Sequence, residues 1–159
     1  MKTTTFALTS ILVAACGKDA KLPPKPINGA PVAFVAGALT HGRDGTVKAK
    51  AYNFSDKRVV QFSLMLRYED AAGNLVKVPF GIDDLHEVGF ASFGGKGFAC
   101  NPKSWCEYTI ETDVPEKAAK AEILATSLGS TTDNVTVDEK PLFKAESAMD
   151  WPAKSAARK

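Results

Sequence analysis

The sequence predicts an all-β domain, an antiparallel β-sandwich of about seven strands with at most one short helical turn. Three observations predict it. In RVVQFSLMLRYED, Val60, Phe62, Leu64, Leu66 and Tyr68 alternate with Gln61, Ser63, Met65, Arg67 and Glu69. That is a period of two, whereas a helix would scatter the apolar set around its axis. Shorter runs of the same rhythm recur, parted by turn-forming clusters every 8–12 residues or so. The span 32–143 is also long enough to close one core of its own.

In chain order, Val32 to Leu39 is a short apolar run closed by the turn-rich THGRDG. Val47, Ala49 and Ala51 alternate with Lys48, Lys50 and Tyr52, and the long strand over Val60–Tyr68 follows. DAAGN turns the chain into a strand in which Val76, Val78 and Phe80 alternate with Lys77 and Pro79, the proline marking an edge or a strand end. The glycines of FGGKGF suit a bulge or a loose hairpin. In CEYTIETDV, Cys106, Tyr108, Ile110, Thr112 and Val114 oppose Glu107, Thr109 and Glu111. AEILATSL and DNVTVDE supply two more strands. PEKAAKAE reads as helical, with Pro115 at a tolerated first position and room for two turns at most.

The rhythm of VKAKAYNFSDKRVVQFSLMLRYEDAAGNLV, a strand, an Asn-containing turn, a long alternating strand and an Asp/Gly turn, resembles bacterial Ig-like envelope domains of the FxLYD kind. VPEKAAKAEI is similar to the proline-led turn before a late strand in those domains. The resemblance covers about half the domain and implies an Ig-like β-sandwich used as an accessory or binding module. It places no catalytic residue in this chain.

At the amino terminus, Lys2 gives a positive start and Phe6 to Ala15 an apolar run ending at Cys16. Ten helical residues rise about 15 Å, half of a hydrocarbon layer of roughly 30 Å, so the run is too short to span. A buried element of the domain is one reading; the Pro/Lys-rich stretch that follows gives it no core to join. A charged start, a short apolar run and small residues at its end favour a signal peptide over residues 1–15. Leu12-Val13-Ala14-Ala15-Cys16 resembles the lipobox of bacterial lipoproteins, with Val13 where leucine is commonest. That resemblance implies cleavage before Cys16 and acylation of it, making the membrane a partner through an N-terminal lipid. Two or three acyl chains anchor durably where one is marginal. Gly17, in place of the Asp that retains enterobacterial lipoproteins in the inner membrane, points to the outer membrane of the cell envelope.

Residues 16–31 then form a tether: Pro23, Pro24, Pro26 and Pro31 favour polyproline II, and Lys18, Lys21 and Lys25 keep it hydrated. Fully extended, it would reach roughly 45 Å. Residues 144–159 read as a flexible tail whose basic end, Lys154, Arg158 and Lys159, follows Trp151-Pro152. The formal net charge is only +2, so nothing electrostatic argues for nucleic acid.

With Cys16 assigned to lipid, Cys100 and Cys106 remain for a disulfide in an exported chain. The chain-entropy model gives a loop this short about 2 kcal/mol. A redox or metal role is the alternative, but the spacing is neither C-x-x-C nor usual for zinc. Asp83, Asp84, His86 and Glu87 form the one cluster with metal-ligand character, and the competing reading is a solvated loop. His41 reads as a turn residue. No G-x-S-x-G or phosphate-loop order occurs, and the sequence is read as non-enzymatic, without a cofactor. Asn53-Phe54-Ser55 and Asn134-Val135-Thr136 match the glycosylation triplet and are discounted.

Two readings stand for Trp105, which falls on the outward parity with Glu107. Beside Pro102 and Lys103 in a pinned loop, it is a pre-organised contact for an envelope protein partner. Alternatively its ring folds back to cap the sandwich.

Overall fold

The computed structural model describes residues 21–80, 84–133 and 136–145. Cys16, the expected signal peptide over residues 1–15, Asp83, Asn134 and the residues from 146 onward lie outside them. The strands are β1 (Val32–Thr40), β2 (Thr46–Asn53), β3 (Arg58–Glu69), β4 (Leu75–Val76), β5 (Val78–Phe80), β6 (Asp84–His86), β7 (Gly89–Gly94), β8 (Trp105–Glu111), β9 (Lys120–Thr131) and β10 (Phe143–Lys144), with one 3₁₀ turn at Lys96–Phe98. Every pairing among them is antiparallel.

One sheet runs β1-β2-β8 and a second β10-β9-β3-β4, with β7 also paired to β3; β5 and β6 form a separate hairpin. In the first sheet Ala49 pairs Tyr108 and Val47 pairs Ile110, placing Val47, Ala49, Ala51, Tyr108 and Ile110 inside. The second contributes Phe62, Leu64, Leu66 and Tyr68, each at most 1% exposed. Rings from the two sheets meet: Phe34 lies edge-on to Phe62 at 6.1 Å, and Tyr108 contacts both Phe62 and Phe93. Burying such side chains is worth about 1.5–3 kcal/mol each, the main reason the alternating segments hold their register.

Several expectations are corrected. β3 alternates as read only between Phe62 and Tyr68. A one-residue bulge between Val59 and Gln61 puts Val59, rather than Val60, in the central cluster. On the supposed solvent face Met65 and Arg67 are buried, because β3 is central, flanked by β9 and β7. Arg67 is held there by Glu122, which accepts from Nη2 at 2.6 Å and Nε at 3.1 Å. The strand expected over 76–80 is two: Val76 pairs Tyr68 of β3, whereas Val78–Phe80 turns away to β6. PEKAAKAE forms no helix. Ala118 closes a turn on the Pro115 carbonyl, and Ala119 donates to Glu69 before β9 begins. AEILATSL lies within β9, and the described part of DNVTVDE is no strand.

Both domain boundaries also move. Ala30 is 3% exposed and belongs to the core, Asn28 Nδ2 donates to the Ala125 carbonyl at 2.7 Å, and Phe54 N donates to Pro31 O. The end of the expected tether is therefore docked on the domain. Lys144, assigned to the tail, pairs with Ser127 in β10.

Candidate functional site: an aromatic surface beside the disulfide loop

Asn53, at the end of β2, organises the region. It is fully buried, and its Nδ2 donates to the carbonyls of Lys57, Cys100 and Asn101. Its Oδ1 accepts from Ser55 N and Ser55 Oγ. A short polar side chain thus fixes both the β2–β3 turn and the start of the cysteine loop. The same bonding disposes of glycosylation at Asn53, since a buried, fully engaged amide cannot carry a glycan in the folded chain.

Cys100 exchanges backbone bonds with Val59 beside β3, at 2.8 and 2.9 Å, whereas Cys106 lies in β8 opposite Ala51. Their disulfide, Cα–Cα 5.6 Å, therefore ties the second sheet to the first, which a loop this short could not have revealed from spacing alone. Within the loop Lys103 takes a left-handed conformation, φ 50°, uncommon for a residue with a side chain.

Trp105 pairs with Tyr52 across β8 and β2 on the outward face. Their rings meet at 5.4 Å and 64°, and Tyr52 in turn meets Phe54 at 4.8 Å and 71°. Such edge-on pairs contribute about 0.5–1.5 kcal/mol each beyond area burial. All three rings are half-buried. Trp105 thus stands on the outside of its own sheet, packed against a neighbour and still accessible; it does not cap the core. Tyr52 carries a hydroxyl that donates to Lys103 O at 3.2 Å. Pro102 is exposed. Lys103 Nζ donates to the Phe54 carbonyl at 2.5 Å and pairs with Asp56 at 3.2 Å, so its ammonium holds the loop closed. Below this cluster on the same face come Lys50 and Glu107, paired at 2.9 Å, then Lys48 donating to Thr109 Oγ1.

Sequence reasoning singled out Trp105, Lys103 and Pro102 and missed Tyr52 and Phe54 as their partners. The available signal was parity: Tyr52 and Trp105 each fall on the outward set of a strand, and become neighbours once β2 and β8 pair.

Of the other cluster, Asp83 lies outside the described residues. Asp84 and His86 lie in β6, two apart and so on one face, in a hairpin with β5 where a loop was the competing reading; Glu87 follows the strand. Among the described residues no group of three His, Cys, Asp or Glu side chains could hold a metal ion. His41 Nε2 hydrogen-bonds the Ala118 carbonyl at 2.7 Å, a bond that fastens one loop to another. Among the described residues no helix is long and apolar enough to cross a membrane.

The class defined by these observations is a small antiparallel β-sheet domain with a disulfide-pinned aromatic surface. Compared with protein families, curated proteins and solved structures, the chain matches none.

Proposed function

We propose that this chain is a non-catalytic, lipid-anchored lipoprotein of the bacterial envelope, on the outer membrane, whose two sheets form an Ig-like β-sandwich that presents a contact surface to an envelope protein. The observation that carries the reading is the Tyr52–Phe54–Trp105 cluster. Its rings are accessible and are held by a disulfide, by a buried asparagine and by Lys103. A surface rigid before binding loses little entropy on association, and aromatic rings are the commonest anchors of interfaces. The resemblance at Cys16 supplies the anchor, and the docked segment 28–31 joins the domain at this same end, where Val32 pairs Asn53.

The test is affinity capture of the full chain from membranes of its native cell, with mass spectrometry of bait and prey. The reading expects a bait that begins at acylated Cys16 and a protein that is retained by the native chain and lost with Trp105→Ala. A bait that keeps Met1 and gains no acyl mass overturns the anchor. Identical capture by Trp105→Ala overturns the surface.

A further inference from the structure

β8 is an edge. In the order β1-β2-β8 it pairs β2 on one side, and among the described residues no strand takes the other. The two ends of the ladder set its hydrogen-bond phase: Asn53 N donates to Ser104 O and Thr112 N to Gly45 O, each at 3.0 Å. Carried through the unbroken register, Cys106, Tyr108 and Ile110 also direct their backbone groups to β2. Those of Trp105, Glu107, Thr109 and Glu111 therefore point to the open side. The same residues carry the outward side chains, and Glu107, Thr109 and Glu111 are exposed.

Open edges invite strand pairing, and folds blunt them by shortness, proline, lysine or a bulge. The other edges here are blunted. β4 and β10 have two residues each, and β1 breaks register between Ala36 and Leu39. β7 is bounded by Gly89 and Gly94 and carries no charged side chain to select a partner. β8 has none of these defences: seven residues, no proline, no lysine and a continuous ladder with β2.

The surroundings of that edge define what fits it. On the inner side the core is incompletely covered: Phe98 is 37% exposed, although its ring meets Phe93 at 5.1 Å and Tyr108 at 6.4 Å. On the outer side both charges of β8 are carboxylates. Glu107 shares Lys50 yet keeps its side chain 73% exposed, and Glu111 forms no ion pair among the described residues. The space beside Glu111 is open, a cleft of about 690 Å³ walled by Asp44, Val78, Gly89 and Thr112.

We infer that β8 takes up one further antiparallel strand, an extended segment of the envelope protein partner in which apolar and basic residues alternate. Its main chain bonds the open-side groups of Glu107, Thr109 and Glu111. Its Lys or Arg side chains lie opposite Glu107 and Glu111, and its apolar side chains lie beside Tyr108 and Ile110, covering Phe98. Residues opposite one another in an antiparallel pair share a face, so the alternation and the register fix each other. This strand extends the contact surface proposed above and rests on that reading, since Trp105 opens β8.

The test titrates the full-length chain in detergent with a synthetic peptide of alternating lysine and valine, read by affinity and by amide hydrogen exchange. One control peptide alternates glutamate and valine; the other is the lysine–valine peptide methylated on every lysine backbone nitrogen, which keeps the charge and removes the donors. The expected result is saturable binding of the unmethylated lysine–valine peptide alone, with exchange slowed at Glu107, Thr109 and Glu111. Thr109→Pro deletes an open-side N–H and no bond to β2, and should weaken binding about tenfold. Glu111→Lys should weaken it roughly two- to fivefold, with the melting temperature held in both variants. Equal binding of either control peptide, unslowed exchange at the edge, or unchanged affinity in either variant overturns the inference. In the membrane capture, a protein lost with Trp105→Ala yet retained by Thr109→Pro overturns the added strand and leaves the aromatic surface standing.

Discussion

The two ends of the β1-β2-β8 sheet lie about 20 Å apart, six residues along β2, and treat their polar groups in opposite ways. At the disulfide end, Asn53 satisfies three carbonyls, Lys103 holds Phe54 and Asp56, and Lys50 is paired with Glu107. At the other end the backbone is equally well tied, through Gly42, Val114, Gly45 and His41. Yet among the described residues Asp44, Glu111 and Asp113 form no ion pair, and the Tyr68 hydroxyl makes no hydrogen bond. One end is closed on itself chemically and offers shape; the other is closed only mechanically and offers unmet charge. Rigidity and satisfaction are separable, and a fold can place them at different points of one sheet.

Breaking the disulfide end should show the larger effects. Asn53→Ala removes the amide that bridges the carbonyls of Lys57, Cys100 and Asn101 and the acceptor of Ser55 N. Although each carbonyl keeps a second donor, it should cost about 2 kcal/mol, read as a lower denaturation midpoint. A loss below about 1 kcal/mol would mean that water replaces the amide and that the hub is not structural. Replacing Cys100 and Cys106 together with serine should cost about 2 kcal/mol and lower the melting temperature by several degrees. An unchanged melt would show that the exchanged backbone bonds of Val59 and Cys100 alone hold the sheets together.

The smallest effect is expected at the cleft end. At neutral pH Tyr68→Phe should leave stability unchanged or raise it by up to about 1 kcal/mol, since the hydroxyl removed makes no bond. Its pH dependence has a definite sign. Burial pushes the Tyr68 phenol up to about 12, opposed by the Thr112 hydroxyl and assisted by the charge of Asp113. Below pH 10 the group is neutral folded or unfolded and contributes no slope. Between roughly pH 10 and 12 the unfolded chain loses the proton first, so stability falls as pH rises. Burial raises the Tyr108 phenol as well. Tyr68→Phe should therefore soften the alkaline limb without abolishing it, and an identical alkaline limb in this variant would contradict the assignment.

Much of the fold was legible because its signal is local. Phe62 to Tyr68 sits where alternation puts it, as do Val47 to Ala51 and Tyr108 to Ile110, since each of these segments buries one alternating set of side chains. The reading failed where a long-range partner changed the local rule. Met65 and Arg67 are buried because β3 has neighbours on both sides, and Val60 leaves the central cluster because of a bulge that no periodicity announces. β6 was hidden in a polar run, GIDDLHEVG, and β10 straddles the expected boundary between domain and tail. At the site, Trp105, Lys103 and Pro102 were visible as a loop, and the disulfide from cysteine number and compartment. Asn53 appeared as a turn residue and a glycosylation triplet, not as a hub, because its partners at Cys100 and Asn101 are distant in sequence. The cleft was invisible for the same reason: residues near 44, 78 and 112 meet only when the strands are assembled.

The docking of residues 28–31 has a mechanical consequence. A domain held by its amino terminus and pulled from elsewhere takes the load first at Asn28 on Ala125 and at Pro31 on Phe54, before any rung of β1 is stressed. Those two bonds grip strands of different sheets, β9 and the end of β2, so the force divides between both layers. The chain thus carries a strain relief just ahead of its first strand, much as a cable is clamped before it reaches its terminal.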